Sequence, residues 1–300
     1  MALKLAILKE SADHETRVAA TPETVKKYIA KGFHVTVVDN AGTAAAYTNS
    51  AYTAAGATLA QDTESATKDA DIILCVQPPT TQLVTKPNTI LIGLLSPYGA
   101  KDRLSTYAAQ NLTTIAMELV PRITRAQAMD VLSSQSNLAG YRAVLEAAAV
   151  FPRAFPMMMT AAGTIPPARV FVMGAGVAGL QAIATARRLG AIVSATDVRP
   201  VAKEQVQSLG ASFVMVESEE TRQAETTGGY AKEMSDDFKQ KQAKLVAETL
   251  VKQDIVITTA LIPGRPAPRL ITEDMVTSMK PGSVIVDLAA PQGGKIGRAH

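Results

Sequence analysis

Three glycines, Gly174, Gly176 and Gly179, follow the apolar run RVFVM and open an amphipathic segment. Gly-x-Gly-x-x-Gly between a strand and a helix is suited to a dinucleotide. The first glycine allows a tight turn, the second lets the backbone approach a pyrophosphate, and the third permits close helix–strand packing. The intervening residues Ala175, Val177 and Ala178 carry backbone N–H groups into the same turn, where the start of a helix attracts anions. Asp197 ends the next apolar run, 18 residues after Gly179. A carboxylate there accepts hydrogen bonds from the adenosine ribose hydroxyls and repels a 2′-phosphate, which favours NAD over NADP. Arg199 follows after Val198 and has the charge to tolerate such a phosphate.

A second group of polar residues, Arg122, Gln127, Asp130 and Ser133, lies in PRITRAQAMDVLSSQSNLAGYR. Arg122 and Asp130 have the charges for an ion pair at a domain junction, where clefts commonly form. Ordinary helix-start chemistry accounts equally well for Asp130 and Ser133. The polar stretch ESEETRQAETTGG, residues 217–229, is long for a βα connection. It reads either as a surface loop or as a lid hinged at Gly228 and Gly229, with Tyr230 as its working side chain.

The elements that would position these residues alternate along the chain. Strands are expected at Leu3–Leu8, Val35–Val38, Asp71–Val76, Thr89–Leu95 and Thr113–Met117, with a helix at Thr21–Ala30. These runs are continuously apolar, as in strands buried on both faces of a parallel sheet. Residues 133–151 predict a helix, with Leu138, Tyr141, Val144, Leu145, Ala148 and Phe151 on its apolar face. It connects two domains, residues 1–135 and 136–300. A loop, TAAGTIPPA, then leads to strands at Arg169–Met173, Ala191–Thr196, Ser212–Val216, Asp254–Ala260 and Ser283–Leu288. Helices are expected at Leu180–Leu189, Val201–Leu209, Tyr230–Val251 and Glu273–Met279. Alternating βα order implies an α/β fold with parallel sheets and right-handed crossovers.

Composition narrows the function. The chain is 47% apolar and 4% aromatic, without Trp, and carries a net charge of +3. That supports an aliphatic core and gives no electrostatic footprint for nucleic acid. Cys75, the single cysteine, excludes an internal disulfide and reads as a buried strand residue; the three histidines lack metal-ligand spacing. The N-terminal apolar run is too short for a signal peptide, and no stretch is long enough to span a membrane, so a soluble intracellular chain is expected.

The strings RVAATPETV, PRITRAQAMDVLSSQSNLAGYRAV, MTAAGTIPPARVFVMGAGVAGLQAIA, TDVRP, GGYAKEM and TTALIPGRPAP together resemble the NAD(H)-binding component of proton-translocating NAD(P) transhydrogenases, over nearly the whole chain. The resemblance implies two Rossmann-like, doubly wound parallel-sheet domains flanking a cleft, and a homodimer. It implies hydride transfer from NADH to NADP+ on a separate NADP(H)-binding domain of the beta subunit, driven by proton movement through a membrane-spanning subunit. The chain would then sit on the cytoplasmic face of the inner membrane through those partners. By motif, Arg122, Asp130 and Ser133 would hold the nicotinamide carboxamide and Gln127 would lie at the transfer face. Asp197 would hold the adenosine ribose, and Tyr230 would ride a closing loop. Thr259, Ala260 and Leu261, in TTALIPGRPAP, complete the expected nucleotide contacts.

The related alanine dehydrogenases differ in chemistry. That family uses a lysine where this chain has Gln77 and a histidine where it has Ser96; Arg17 is common to both. Hydride transfer between two nicotinamides needs neither general acid nor base, which suits the loss of both ionisable groups. In the family a further segment follows VDLAAPQGG, whereas KIGRAH ends this sequence and matches nothing expected there. The chain is therefore read as shortened, with dimerisation more affected than nucleotide binding. A fragment that binds NAD without activity is the remaining alternative.

Overall fold

A computed structural model describes residues 2–216, 235–260, 266–290 and 293–294. The chain divides into two compact units, Met1–Val131 and Leu132–His300, a few residues before the expected boundary.

In the first unit the order is β1 (Lys4–Ile7), α1 (Pro22–Ala30), β2 (His34–Val38), α2 (Asn49–Ala54), β3 (Thr58–Ala60), α3 (Thr63–Thr67), β4 (Ile72–Leu74), β5 (Ile90–Gly93), α4 (Lys101–Ala109) and β6 (Thr113–Ala116). All six strands are parallel, in the order β3-β2-β1-β4-β5-β6. Strand β3 is an addition to the expected set, since three residues are too few for a periodic signal. Helix α1 begins as its sequence dictates. The Thr21 side chain accepts from the Thr24 N–H, and Pro22 occupies a first-turn position where its missing N–H costs nothing. Tyr52 is fully buried, and its hydroxyl donates to the Ala20 carbonyl at 2.8 Å. Cys75 is buried just past β4; burial pushes its thiol up to about 12, which makes it inert as a nucleophile.

The second unit contains α5 (Val131–Val150), β7 (Met158–Thr160), β8 (Gly163–Ile165), β9 (Arg169–Met173), α6 (Val177–Arg188), β10 (Ile192–Thr196), α7 (Val201–Ser208), β11 (Ser212–Phe213), α8 (Asp236–Leu250), β12 (Ile255–Thr258), α9 (Glu273–Thr277) and β13 (Val284–Asp287). Its main sheet is parallel, ordered β11-β10-β9-β12-β13. The apolar runs bury alternate residues on opposite faces. Val170 and Val172 of β9 pack with Ala143, Val144, Ile183 and Val206, whereas Phe171 and Met173 pack with Val246 and Leu250 of α8. Both units are thus Rossmann-like α/β folds with sheets covered on two sides, which is why their strands read as unbroken apolar runs.

Two expectations for this unit need correction. TAAGTIPPA is not all loop: β7 and β8 form an antiparallel hairpin, paired from Met158 with Ile165 to Thr160 with Gly163. Every residue of it is exposed, so no burial pattern marks it in sequence. Helix α5 also buries a different face. Leu138 and Tyr141 are exposed, and Gly140, Ala143, Val144 and Ala147 are buried. Small residues face inward because the helix runs too close to its neighbour for large ones.

Candidate functional site

The order of the second sheet reverses between β9 and β12, and ligands of open α/β sheets bind beyond the carboxyl ends of strands at such a point. Three segments meet there. The glycine turn follows β9, Asp197 follows β10, and Thr259 and Ala260 follow β12.

Each glycine of the turn has its own constraint. Gly174 has φ +105°, and a Cβ on it would lie 2.7 Å from Thr259 Oγ1 and 2.9 Å from the Ala260 nitrogen. A Cβ on Gly179 would lie 1.8 Å from the Gly174 carbonyl oxygen. The Thr259 hydroxyl donates to that same carbonyl at 2.9 Å, so β12 pins the turn from the side. At Gly176 the situation is reversed: a Cβ would meet nothing within 4 Å. The backbone is bare on the side where a pyrophosphate would approach. Gly176 is also the N-cap of α6 and supplies no side-chain cap, which leaves the helix's first N–H groups for a ligand. These features fit a dinucleotide phosphate.

Asp197 is nearly buried, with 8% of its side chain exposed. Its Oδ2 accepts from the Ala175 N–H and from Arg199 Nη2, both at 2.8 Å. Its Oδ1 accepts from the Arg199 N–H and Nε, both at 2.9 Å. The carboxylate is thereby fixed against the glycine turn, facing the place of an adenosine ribose.

Helix α5 supports the turn from behind. A Cβ on Gly140 would lie 2.0 Å from the Ala178 carbonyl oxygen and 2.8 Å from its carbon. Residue spacing gives no warning of this contact; its only trace in sequence is a glycine inside a strongly helical segment. Beside it, Thr258 donates to Asp287 Oδ1 at 2.6 Å, tying the ends of β12 and β13 together.

The remaining expected residues are distributed as follows. Arg122 and Gln127 are exposed, and Asp130 is half-buried at the end of a 3-10 stretch, Thr124–Met129, in the first unit. Ser133 is half-buried in the first turn of α5, in the second unit. Arg122, Asp130 and Ser133 are each engaged in polar or electrostatic interactions. Residues 217–229, Tyr230 and Leu261 lie outside the described residues.

The first sheet reverses its order between β1 and β4. Side chains already occupy the hydrogen-bonding groups there. Glu10 accepts from the Val76 and Gln77 N–H groups at 2.6 and 2.9 Å. Burial raises the Glu10 carboxyl above its usual range. Glu15 takes Arg17 through Nε and Nη2 at 2.8 and 2.6 Å, and Gln77 donates to it at 3.1 Å. The Arg17 fork holds the Glu15 carboxyl down at about 2. Ser96 has φ +45°, and its N–H donates to Glu118.

Two family models match the chain: the alanine dehydrogenase/PNT N-terminal domain over residues 6–139 and the alanine dehydrogenase/PNT C-terminal domain over residues 143–300. The chain belongs to the alanine dehydrogenase/PNT family. Within it, this chain is 56% identical to the first of the polypeptides that make up the NAD(P) transhydrogenase alpha subunit of Rhodospirillum rubrum, over 97% of its own length and 78% of that protein's. A transhydrogenase crystal structure from Sinorhizobium meliloti is similar with a TM-score of 0.90 and 55% identity, covering 99% of this chain and 81% of that one. An alanine dehydrogenase of Halomonas elongata is more distant, 31% identical over 97% of this chain and 74% of that protein. Among the described residues no helix is long and apolar enough to cross a membrane, and no group of His, Cys, Asp or Glu could hold a metal ion.

Proposed function

We propose that this chain is the NAD(H)-binding component of a proton-translocating NAD(P) transhydrogenase. The observation that carries the reading is the turn Gly174–Gly179, open at Gly176 and backed by a fixed Asp197. When bound there, the dinucleotide supplies a hydride at C4 of its nicotinamide, for NADP+ held by a separate domain of the beta subunit. The chain's own residues bind, orient and shield. The α6 N-terminus and turn hold the pyrophosphate, and Asp197 takes the ribose. Thr259, Ala260 and Leu261 line the opposite side. Arg122, Asp130 and Ser133 hold the carboxamide so that one face of the ring is presented, with Gln127 beside it. Tyr230 and its loop close over the nucleotide and exclude water, which suits direct hydride transfer.

No residue in this scheme needs to gain or lose a proton. The reading as an alanine dehydrogenase would need such groups. Gln77 stands where that family has lysine and is tied to Glu10 and Glu15, while Ser96 stands where it has histidine. Proton coupling belongs to a membrane-spanning partner, through which the chain sits on the cytoplasmic face of the membrane. The exposed hairpin β7–β8, with Met158, Met159 and Ile165 at 50%, 72% and 48% exposure, suits a homodimer contact.

The test is a fluorescence titration with NADH and with NADPH, followed by mixing with an NADP(H)-binding partner domain. Selective NADH binding and partner-dependent hydride transfer to NADP+ are expected. Equal affinity for both nucleotides, or alanine-dependent NAD reduction without a partner, would overturn the proposal.

A further inference from the structure

We infer that Arg199 masks the ribose site in the empty protein and thereby sets how strongly the site prefers NAD(H) to NADP(H). The inference rests on the nucleotide reading above. Each Asp197 oxygen holds two donors, one from the backbone and one from the guanidinium. Oδ2 takes the Ala175 N–H and Arg199 Nη2, and Oδ1 takes the Arg199 N–H and Nε. The two backbone donors are fixed by the turn and by the chain itself. The two guanidinium donors sit on a rotatable side chain, 19% exposed. A ribose diol also offers two donors, one for each oxygen. The fork and the diol therefore compete one for one for the same two acceptor positions.

Two consequences follow. Only the fraction of molecules with Arg199 swung away can take the ribose, and apparent affinity falls by that fraction. Bidentate guanidinium–carboxylate pairs are among the stronger neutralising contacts, so the masked state dominates when no ligand is present. Displaced, the guanidinium remains next to the ribose, as a cation beside the position of a 2′-phosphate. It offsets the repulsion that Asp197 would otherwise exert on NADP(H). Removing Arg199 should therefore tighten NADH and weaken NADPH together.

The experiment measures NADH and NADPH dissociation constants for the wild-type chain, Arg199→Ala and Arg199→Met, with thermal unfolding to confirm that each is folded. Both variants should bind NADH at least threefold more tightly and NADPH less tightly, raising the selectivity ratio tenfold or more. In an Asp197→Asn background, the same Arg199 substitutions should change NADH affinity by less than twofold, because the competition has lost its object. Weaker NADH binding in both Arg199 variants would make Arg199 a direct nucleotide ligand and overturn the mask. An unchanged selectivity ratio would overturn it as well. A folded wild-type chain that binds no NADH would overturn the nucleotide reading itself, and the mask with it.

Discussion

Replacing Gly140 by alanine sets two well-known effects against each other. In an isolated helix the change stabilises by about 1 kcal/mol, because glycine is the poorer helix former. In this protein the new methyl would stand 2.0 Å from the Ala178 carbonyl oxygen, 2.8 Å from its carbon and 3.0 Å from its Cα. Reaching even the 3.0 Å that real Cβ atoms tolerate requires about 1 Å of separation between α5 and the start of α6. The obstacle is backbone, so no rotamer relieves it. Overpacking of this kind costs about 1–3 kcal/mol, and a rigid obstacle argues for the upper end. The net expectation is a loss of about 2 kcal/mol, or about 5 °C in melting temperature for a unit of this size. Because Ala178 belongs to the glycine turn, NADH affinity should fall too. Urea unfolding and NADH titration of Gly140→Ala measure both. Ala149→Gly, on the exposed side of the same helix, is the control: it should lose about 1 kcal/mol and bind NADH normally. A Gly140→Ala chain as stable as wild type, with unchanged NADH affinity, would refute the close-approach argument.

Other expectations follow from the same geometry. Gly176→Ala should melt with the wild type, since its φ is −77° and its Cβ meets nothing within 4 Å. It should nevertheless bind NADH at least tenfold more weakly, because the methyl fills the space of the pyrophosphate; an unchanged dissociation constant would place the phosphate elsewhere. Asp254, 3% exposed, accepts from the Arg169 N–H at 2.8 Å and from Arg153 and Lys280. Asp254→Ala should cost about 2–3 kcal/mol in denaturant unfolding, less than a fully buried pair because both cations remain half-exposed. Glu15 should contribute stability at neutral pH that is lost as pH falls from about 4.5 towards 2, because its carboxyl is held low by Arg17. Glu10, raised by burial, works in the opposite direction. Acid titration of stability should therefore flatten over that interval in Glu15→Gln, and an unchanged profile would remove Glu15 from the account.

Much of the nucleotide half is written locally. Gly174, Gly176, Gly179 and Asp197 constrain one another through a single strand–turn–helix–strand unit, whose spacing is fixed by the length of a helix and a strand. The α/β class is equally legible, because strands buried on both faces must be apolar at every position, as Val170 to Met173 are. The inward face of α5 is not legible. Helical spacing nominates Leu138 and Tyr141, but the proximity of Ala178 selects Gly140, Ala143 and Ala147 instead, and that proximity is a tertiary fact. The hairpin β7–β8 leaves no trace because an element that buries nothing has no burial pattern. The pairing of Asp197 with Arg199 is invisible for a further reason. Sequence supplies the charges two residues apart, but only the folded turn brings the Ala175 N–H to the same carboxylate and leaves Arg199 its remaining acceptor positions.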